Sequence, residues 1–174
     1  MQTQDSTIEP QEMNGDEKAS PEPLKIRGFL IFVAIGLFMS LIGNLQNLGW
    51  SILPFRGEVW EKLTTPGFDS YHPNWKQALL FGVTSASVIF VFNIIMLVLF
   101  FRKHRFFPTF IVVAIPVIFV LLLVGHYLDG LVPAIAASQE YSKGTHQLIV
   151  RFIALHVWIP YFVVSERVKR TFVR

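Results

Sequence analysis

Residues 77–105 read QALLFGVTSASVIFVFNIIMLVLFFRKHR, and this stretch decides the fold of the chain. From Gln77 to Phe101 it contains no Asp, Glu, Lys or Arg, and about 20 such residues are enough for an α-helix to cross the hydrocarbon core of a bilayer. Arg102, Lys103 and Arg105 follow at once. An uncharged run with a basic flank is typical of a transmembrane helix.

Similar runs on either side of this stretch, and a weaker one near the end of the chain, raise the number of predicted spans to four. Gly28–Phe55 and Phe106–Leu128 also lack the four charged residue types. Over the whole chain 16% of the residues are charged, against about 25% in a soluble domain. We therefore predict an all-α membrane protein with one transmembrane domain, residues 25–174, whose four helices lie at about residues 28–53, 78–101, 107–128 and 148–164.

The fourth run is the least apolar, and its insertion is predicted to be marginal. Its Leu, Ile, Val and Phe residues favour insertion by about 3–7 kcal/mol in total. Arg151, placed about one turn from the outer end of this predicted span, opposes insertion by up to about 3 kcal/mol. We expect the helix to depend on its neighbours. Before it, residues 129–147 are predicted to form a polar loop, because Gly130, Pro133 and Gly144 break helices.

The distribution of Lys and Arg predicts the orientation of the chain. Ten of the 15 Lys and Arg residues fall on the side that carries both ends, and five fall on the other side. Basic residues accumulate on the cytoplasmic side, so both termini are predicted to be cytoplasmic. Residues 1–24 hold six acidic residues against one Lys and few apolar residues, which predicts a disordered acidic tail.

Several functional classes receive no support from the sequence. The net charge of +3 arises from basic residues beside apolar runs, so no nucleic-acid partner is expected. The absence of Cys excludes disulfides and thiolate metal sites. The chain has no Gly-rich phosphate loop, no Gly-x-Ser-x-Gly elbow and no His-Glu-x-x-His motif. We therefore expect no catalytic residues, no cofactor and no metal.

Four ionisable residues in or beside the spans are candidates for a functional or structural cluster: His126, Asp129, Arg151 and His156. Ionisable groups in a bilayer are costly and therefore informative. His126 and Asp129 share a helix face, being three residues apart. One hypothesis is a proton or ion relay through the two His residues and Asp129. The alternative is an Asp129–Arg151 ion pair that joins the third and fourth helices, with Glu140 as the rival partner of Arg151 and His156 bonded to a carbonyl.

Small residues mark helix faces that can pack closely. Gly36, Ser40, Gly43 and Asn47 follow helical spacing on the first helix, and Asn93 lies on such a face of the second. Faces of this kind let helices approach and let Asn bond across the interface. They fit packing within one chain or against a second copy. The expected partners are therefore the lipid bilayer and, as the alternative to packing within one chain, another membrane protein or a homo-oligomer partner.

The end of the chain resembles a known family. Trp158-Ile159-Pro160-Tyr161 is followed by a Ser, a basic segment and Thr-Phe, and this is similar to the ending of bacterial domain-of-unknown-function family 2569, small inner-membrane proteins. The turn Phe101-Arg102-Lys103 with the later Phe107-Pro108 is similar too. The resemblance covers about residues 25–174 and implies a bacterial inner membrane and four spans, but no activity. The C-terminal residues that carry it are Trp158, Pro160, Tyr161, Ser165, Arg167, Lys169, Thr171 and Phe172.

Three functional interpretations remain open at this point. The first is a non-enzymatic inner-membrane protein that acts through interaction or in the envelope. The second is a small oligomeric transporter or channel component that uses His126, Asp129, Arg151 and His156. The third is an intramembrane enzyme. A transporter needs a polar path across the membrane, and the third predicted helix is apolar until His126, which favours the first interpretation.

Overall fold

Residues 29–172 are described by a computed structural model, and they are helical throughout apart from short connections. The predicted acidic tail, residues 1–24, lies outside the described residues. The helices are α1 (Phe29–Ile52), α2 (Val59–Thr64), α3 (Trp75–Phe101), α4 (Phe107–Gly130), α5 (Pro133–Ala136), α6 (Gln139–Val164) and α7 (Glu166–Thr171), and a 3₁₀ turn spans Leu53–Phe55.

Within residues 29–172, four helices are long and apolar enough to cross a membrane, namely α1, α3, α4 and α6. They contain 24 to 27 residues each. At 1.5 Å per residue they span about 36 to 40 Å, more than the roughly 30 Å of a hydrocarbon core. The predicted all-α architecture with four such helices is confirmed. Pro116 and Pro160 lie inside α4 and α6 without ending them.

The four long helices pack in an arc that is open on one side. Helix α1 packs along α3, α3 along α4, and α4 along α6, whereas α1 and α6 hardly touch within the described residues. Apolar side chains do not force such a gap to close in a bilayer, because lipid tails solvate them as well as another helix does. A cleft therefore runs between α1 and α6.

One end of the bundle carries the predicted basic turn and is called the basic end here. A Schellman motif ends α3: Lys103 N–H donates to the carbonyl of Phe100, and His104 N–H donates to that of Leu99, both at 3.0 Å. The motif requires a left-handed residue after the helix, and Lys103 takes this position with a φ of 52°. Helix α7 folds back against this end, where Val168 and Thr171 are fully buried.

The opposite end, called the loop end, holds the two longer connections. The first is tied together by Phe55, whose ring stacks on Trp60 with the ring centroids 4.8 Å apart. Asn74 Nδ2 donates to the carbonyl of Leu131 at 3.1 Å and links this connection to the end of α4. The second connection contains α5, which begins at Pro133.

The prediction of a loop at residues 129–147 is wrong, because α6 begins at Gln139 rather than near Leu148. Ser138 caps the helix: its side-chain oxygen accepts the N–H of Tyr141 at 3.2 Å. Gly144, predicted to break helices, lies inside α6. Arg151 is consequently the thirteenth residue of a 26-residue helix, near its middle and not one turn from its end.

Candidate functional site

The cleft between the long helices consists of two adjoining chambers of about 340 and 330 Å³. Leu122 and Arg151 line both chambers and mark their junction. Ligand sites in proteins usually have volumes of about 300–1,000 Å³ and often lie between the helices of a bundle. Each chamber is thus large enough for part of a small ligand.

The chamber nearer the basic end, here the apolar chamber, is lined by all four long helices. Phe32, Val33 and Gly36 line it from α1, and Trp158 and Phe162 line it from α6. A Cβ atom added at Gly36 would lie in open space, with no neighbouring atom within 4 Å. Between these two edges the chamber faces the gap that separates α1 from α6.

The chamber nearer the loop end, here the polar chamber, brings together three of the four predicted site residues. His126, Asp129 and Arg151 line it, and His156 lines neither chamber. Polar side chains from the other two long helices complete its wall, so it differs in character from the apolar chamber. These further residues are Asn47, Ser51, Ser85 and, from α6, Gln147.

His126 is held between α4 and α6 by two contacts. Its ring lies on that of Tyr141, and its Nε2 is 2.9 Å from Thr145 Oγ1. The Thr145 hydroxyl donates to the carbonyl of Tyr141 at 3.2 Å, so Nε2–H of His126 is the donor to Thr145. A Cβ at Gly144 would lie 3.2 Å from His126 Nδ1, so a larger residue at this position would require the imidazole ring to shift.

Sequence reasoning missed the α6 partners of His126. Tyr141, Gly144 and Thr145 stand at spacings of three and four residues, which would place them on one helix face. Helical spacing is informative only in a segment that is predicted to be helical, and residues 129–147 were predicted to form a loop.

Asp129 and Arg151 flank the polar chamber without forming the predicted ion pair. Within residues 29–172 no ion pair of 4.0 Å or less joins them. Arg151 lies near the middle of α6, whereas Asp129 lies at the very end of α4. The rival partner Glu140 binds Lys143 one turn along its own helix, at 2.8 Å.

His156 has a local partner on α6. Its Nδ1–H donates to the carbonyl of Phe152 at 2.9 Å, and the two rings meet edge to face at 4.6 Å. This is the carbonyl bond expected in the structural alternative. A relay through both His residues would need His156 to face the polar chamber, which it does not line. Within residues 29–172 no group of three or more His, Asp and Glu side chains is placed to hold a metal ion.

Asn93 provides the buried polar group of the apolar chamber. It is 1% exposed, and its Nδ2 donates to Ser40 Oγ on α1 at 2.9 Å. The expected bond from Asn to a neighbouring helix is therefore present. Ser40 Oγ also accepts from Asn44 Nδ2 at 3.2 Å. The Oδ1 atom of Asn93 has no hydrogen-bond partner, which is uncommon for a buried polar atom.

The residues that carry the family resemblance close the apolar chamber at the basic end. Trp158 and Phe162 line the chamber, and Phe162 meets Phe107 edge to face at 5.8 Å. Phe107 in turn stacks on Phe172, with the ring centroids 4.6 Å apart. Ser165 starts α7 by accepting the N–H of Val168. The motif thus builds an aromatic floor beneath the chamber.

The fold and the cleft define a small multi-pass helical membrane protein with a chambered interior. The chain belongs to the family described as "Protein of unknown function (DUF2569)", which matches residues 23–173. The resemblance detected in the sequence is thereby confirmed. No curated protein and no solved structure matched the chain.

Proposed function

We propose that this chain is a non-enzymatic membrane protein that binds an acyl-chain amphiphile from the bilayer in its cleft. The observation that carries the proposal is the apolar chamber, which faces the gap between α1 and α6. A molecule dissolved in lipid can enter through such a gap without crossing water. The lining combines apolar walls with a few polar atoms, which is typical of a ligand-binding site. It therefore fits the binding of a membrane molecule better than catalysis of a reaction.

The edges of the gap support entry from the lipid side. On α1, the side chain of Phe32 is 66% exposed, and Gly36 leaves open space beside it. On α6, Leu155 and Trp158 are half-buried and line the same chamber. A chain inserted here would contact apolar side chains along its length, and its burial would be as favourable as in the bilayer itself.

We further propose that the protein lies in a bacterial inner membrane with the basic end in the cytoplasm. The support is that the turn after α3 and helix α7 meet at this end, because Phe172, directly after α7, stacks on Phe107. The basic residues of both segments therefore face one compartment. Such clustering follows the positive-inside rule.

Quenching of Trp158 tests the binding proposal directly. The chain has four Trp residues, and a variant with Trp50, Trp60 and Trp75 replaced by Phe keeps only Trp158. We would reconstitute it in vesicles whose phosphatidylcholine carries brominated acyl chains, which quench Trp on contact. Acyl chains in the chamber should quench Trp158 strongly.

Two matched substitutions on α1 make the test specific. Gly36→Leu should fill the chamber and reduce the quenching of Trp158 clearly. Gly43→Leu should leave it unchanged, since Gly43 also has open space at its Cβ position but lines neither chamber. Equal quenching in the two variants would contradict the proposal that acyl chains occupy the chamber.

A further inference from the structure

We infer that the bound amphiphile carries an acidic head group, which pairs with Arg151 at the junction of the two chambers while its acyl chain lies in the apolar chamber. The inference rests on the proposed function and deepens it by naming the chemical class of the ligand. That class is an acyl chain with one carboxylate or phosphate, whether a free fatty acid or an anionic phospholipid.

Arg151 is the first reason for an acidic ligand. It lies near the middle of a helix that can cross the membrane and lines both chambers. Within residues 29–172 its guanidinium forms no ion pair. A cation at this depth is costly and needs a counter-ion. The guanidinium fork can hold a carboxylate or a phosphate through two N–H groups.

The acidic side chains of residues 29–172 leave this position to a ligand. Asp129 lines only the polar chamber and lies beyond ion-pair distance of Arg151. Glu140 is paired with Lys143. The lining of the apolar chamber contains no carboxylate. An anion in this chamber would therefore be attracted by Arg151 at the junction and repelled by no acidic side chain of the lining.

Asn93 is the second, independent reason for a ligand with a polar end. Its Oδ1 is buried and has no hydrogen-bond partner, and the residue lines the apolar chamber. A hydroxyl on the ligand or a water held by its head group would satisfy this oxygen. Met96, Ile111 and Phe162 form the purely apolar part of the lining, toward the basic end. Polar atoms thus lie toward the junction and apolar walls lie below them, which matches a head group followed by a chain.

The test compares head groups on otherwise similar quenching chains. The Trp158-only protein is reconstituted in phosphatidylcholine vesicles with small, equal fractions of brominated oleate, brominated phosphatidylglycerol or brominated phosphatidylcholine. We expect one or both acidic probes to quench more strongly than the zwitterionic probe. The stronger of the two identifies the source, because oleate presents a carboxylate and phosphatidylglycerol presents a phosphate with free hydroxyls.

Charge variants assign the preference to Arg151. Arg151→Gln should weaken the apparent affinity for the acidic probe by about tenfold, the scale of one charge-assisted contact. Arg151→Lys should keep most of the preference. Lys143→Gln removes an exposed charge on the same helix and should change nothing, since Lys143 lies in neither chamber.

A reference on the lipid-facing surface separates the site from surrounding lipid. Val157 is 63% exposed, so a Val157→Trp, Trp158→Phe variant reports bulk acyl chains. An equal acid preference at this reference, or an unchanged preference in Arg151→Gln, would overturn the inference. Equal quenching of Trp158 by all three probes would overturn it too, yet leave the cleft proposal standing if Gly36→Leu still protects. Failure of Gly36→Leu to protect would instead remove the proposed function.

Discussion

The imidazole ring of His126 lies flat on the phenol ring of Tyr141, with the ring centroids 4.1 Å apart and the planes at 9°. The stack joins the last turns of α4 to the first turn of α6 at the loop end. Together with the bond to Thr145, it holds in place the start of the least apolar long helix. A His in this position stabilises the bundle whether or not it also touches a ligand.

Replacing His126 with Ala should lower the free energy of unfolding by about 2 kcal/mol, the sum of an aromatic pair and one hydrogen bond. Thermal unfolding in detergent, followed by circular dichroism, measures the change. His156→Ala is the control, because His156 contacts only its own helix among the interactions described above, and it should cost far less. Similar unfolding temperatures for both variants would mean that the stack contributes nothing.

Gly130 should not tolerate a methyl group. Its Cβ would lie 3.1 Å from Cζ of Tyr141 and closer still to the hydroxyl oxygen. Gly130→Ala should therefore destabilise the protein, and Tyr141→Phe in the same chain should restore part of the loss. Gly82→Ala on α3 meets nothing within 4 Å and should be neutral or stabilising by up to about 1 kcal/mol. A stable Gly130→Ala protein would show that the ring is not seated as described.

Lys103→Gly should raise the stability of the basic turn. Lys103 holds a φ of 52°, a left-handed conformation that costs a non-glycine residue about 1–2 kcal/mol. Glycine removes this cost and keeps both bonds of the Schellman motif. Arg102→Gly, at a position with a φ of −73°, should give no such gain. Chemical denaturation in mixed micelles compares the two variants, and an equal response would refute the conformational argument.

The orientation can be measured with a reporter that is active only in the cytoplasm. Fusions after Arg174 and after His104 should be active, because both follow basic segments. Fusions after Phe68 and after Ala137 should be inactive, since these residues lie in the two connections of the loop end. An active Phe68 fusion would contradict the proposed topology.

The long helices were predictable because each is encoded by a local property, an uncharged apolar run. The start of α6 was not, because residues 139–147 are polar and include Gly144. The signal that did exist was Ser138, whose capping bond is local. The depth of Arg151 follows from that helix start, so the predicted partnership with Asp129 inherited the error.

The chambers depend on information that no single segment contains. Asn93 and Ser40 were recognisable as members of packing faces, and their bond follows from α1 packing on α3. The gap between α1 and α6 could not be predicted from the sequence of either helix, because it results from the arc in which all four long helices pack. Of the candidate site, then, the residue types and the grouping of His126, Asp129 and Arg151 were predictable, and the two-chambered cleft that surrounds them was not.

The aromatic floor at the basic end leads to the last prediction. Phe172 is 4% exposed and contacts Phe107 and Phe100, with ring centroids 4.6 and 5.7 Å away. Truncating a buried Phe to Ala typically costs about 3–5 kcal/mol. Phe172→Ala should therefore lower the unfolding temperature strongly, whereas Val163→Ala, at a side chain that is 54% exposed, should have little effect.

The same substitution should also open the apolar chamber from below. Phe172 supports Phe107, which supports Phe162 at the chamber wall. Loss of the support should let a water-soluble quencher such as acrylamide reach Trp158 in the Trp158-only protein, and Phe172→Leu should largely prevent this by keeping the volume filled. If Phe172→Ala changed neither stability nor quenching, the ending of the chain would not be a floor, and recognition by a cytoplasmic partner would become the better explanation of the motif.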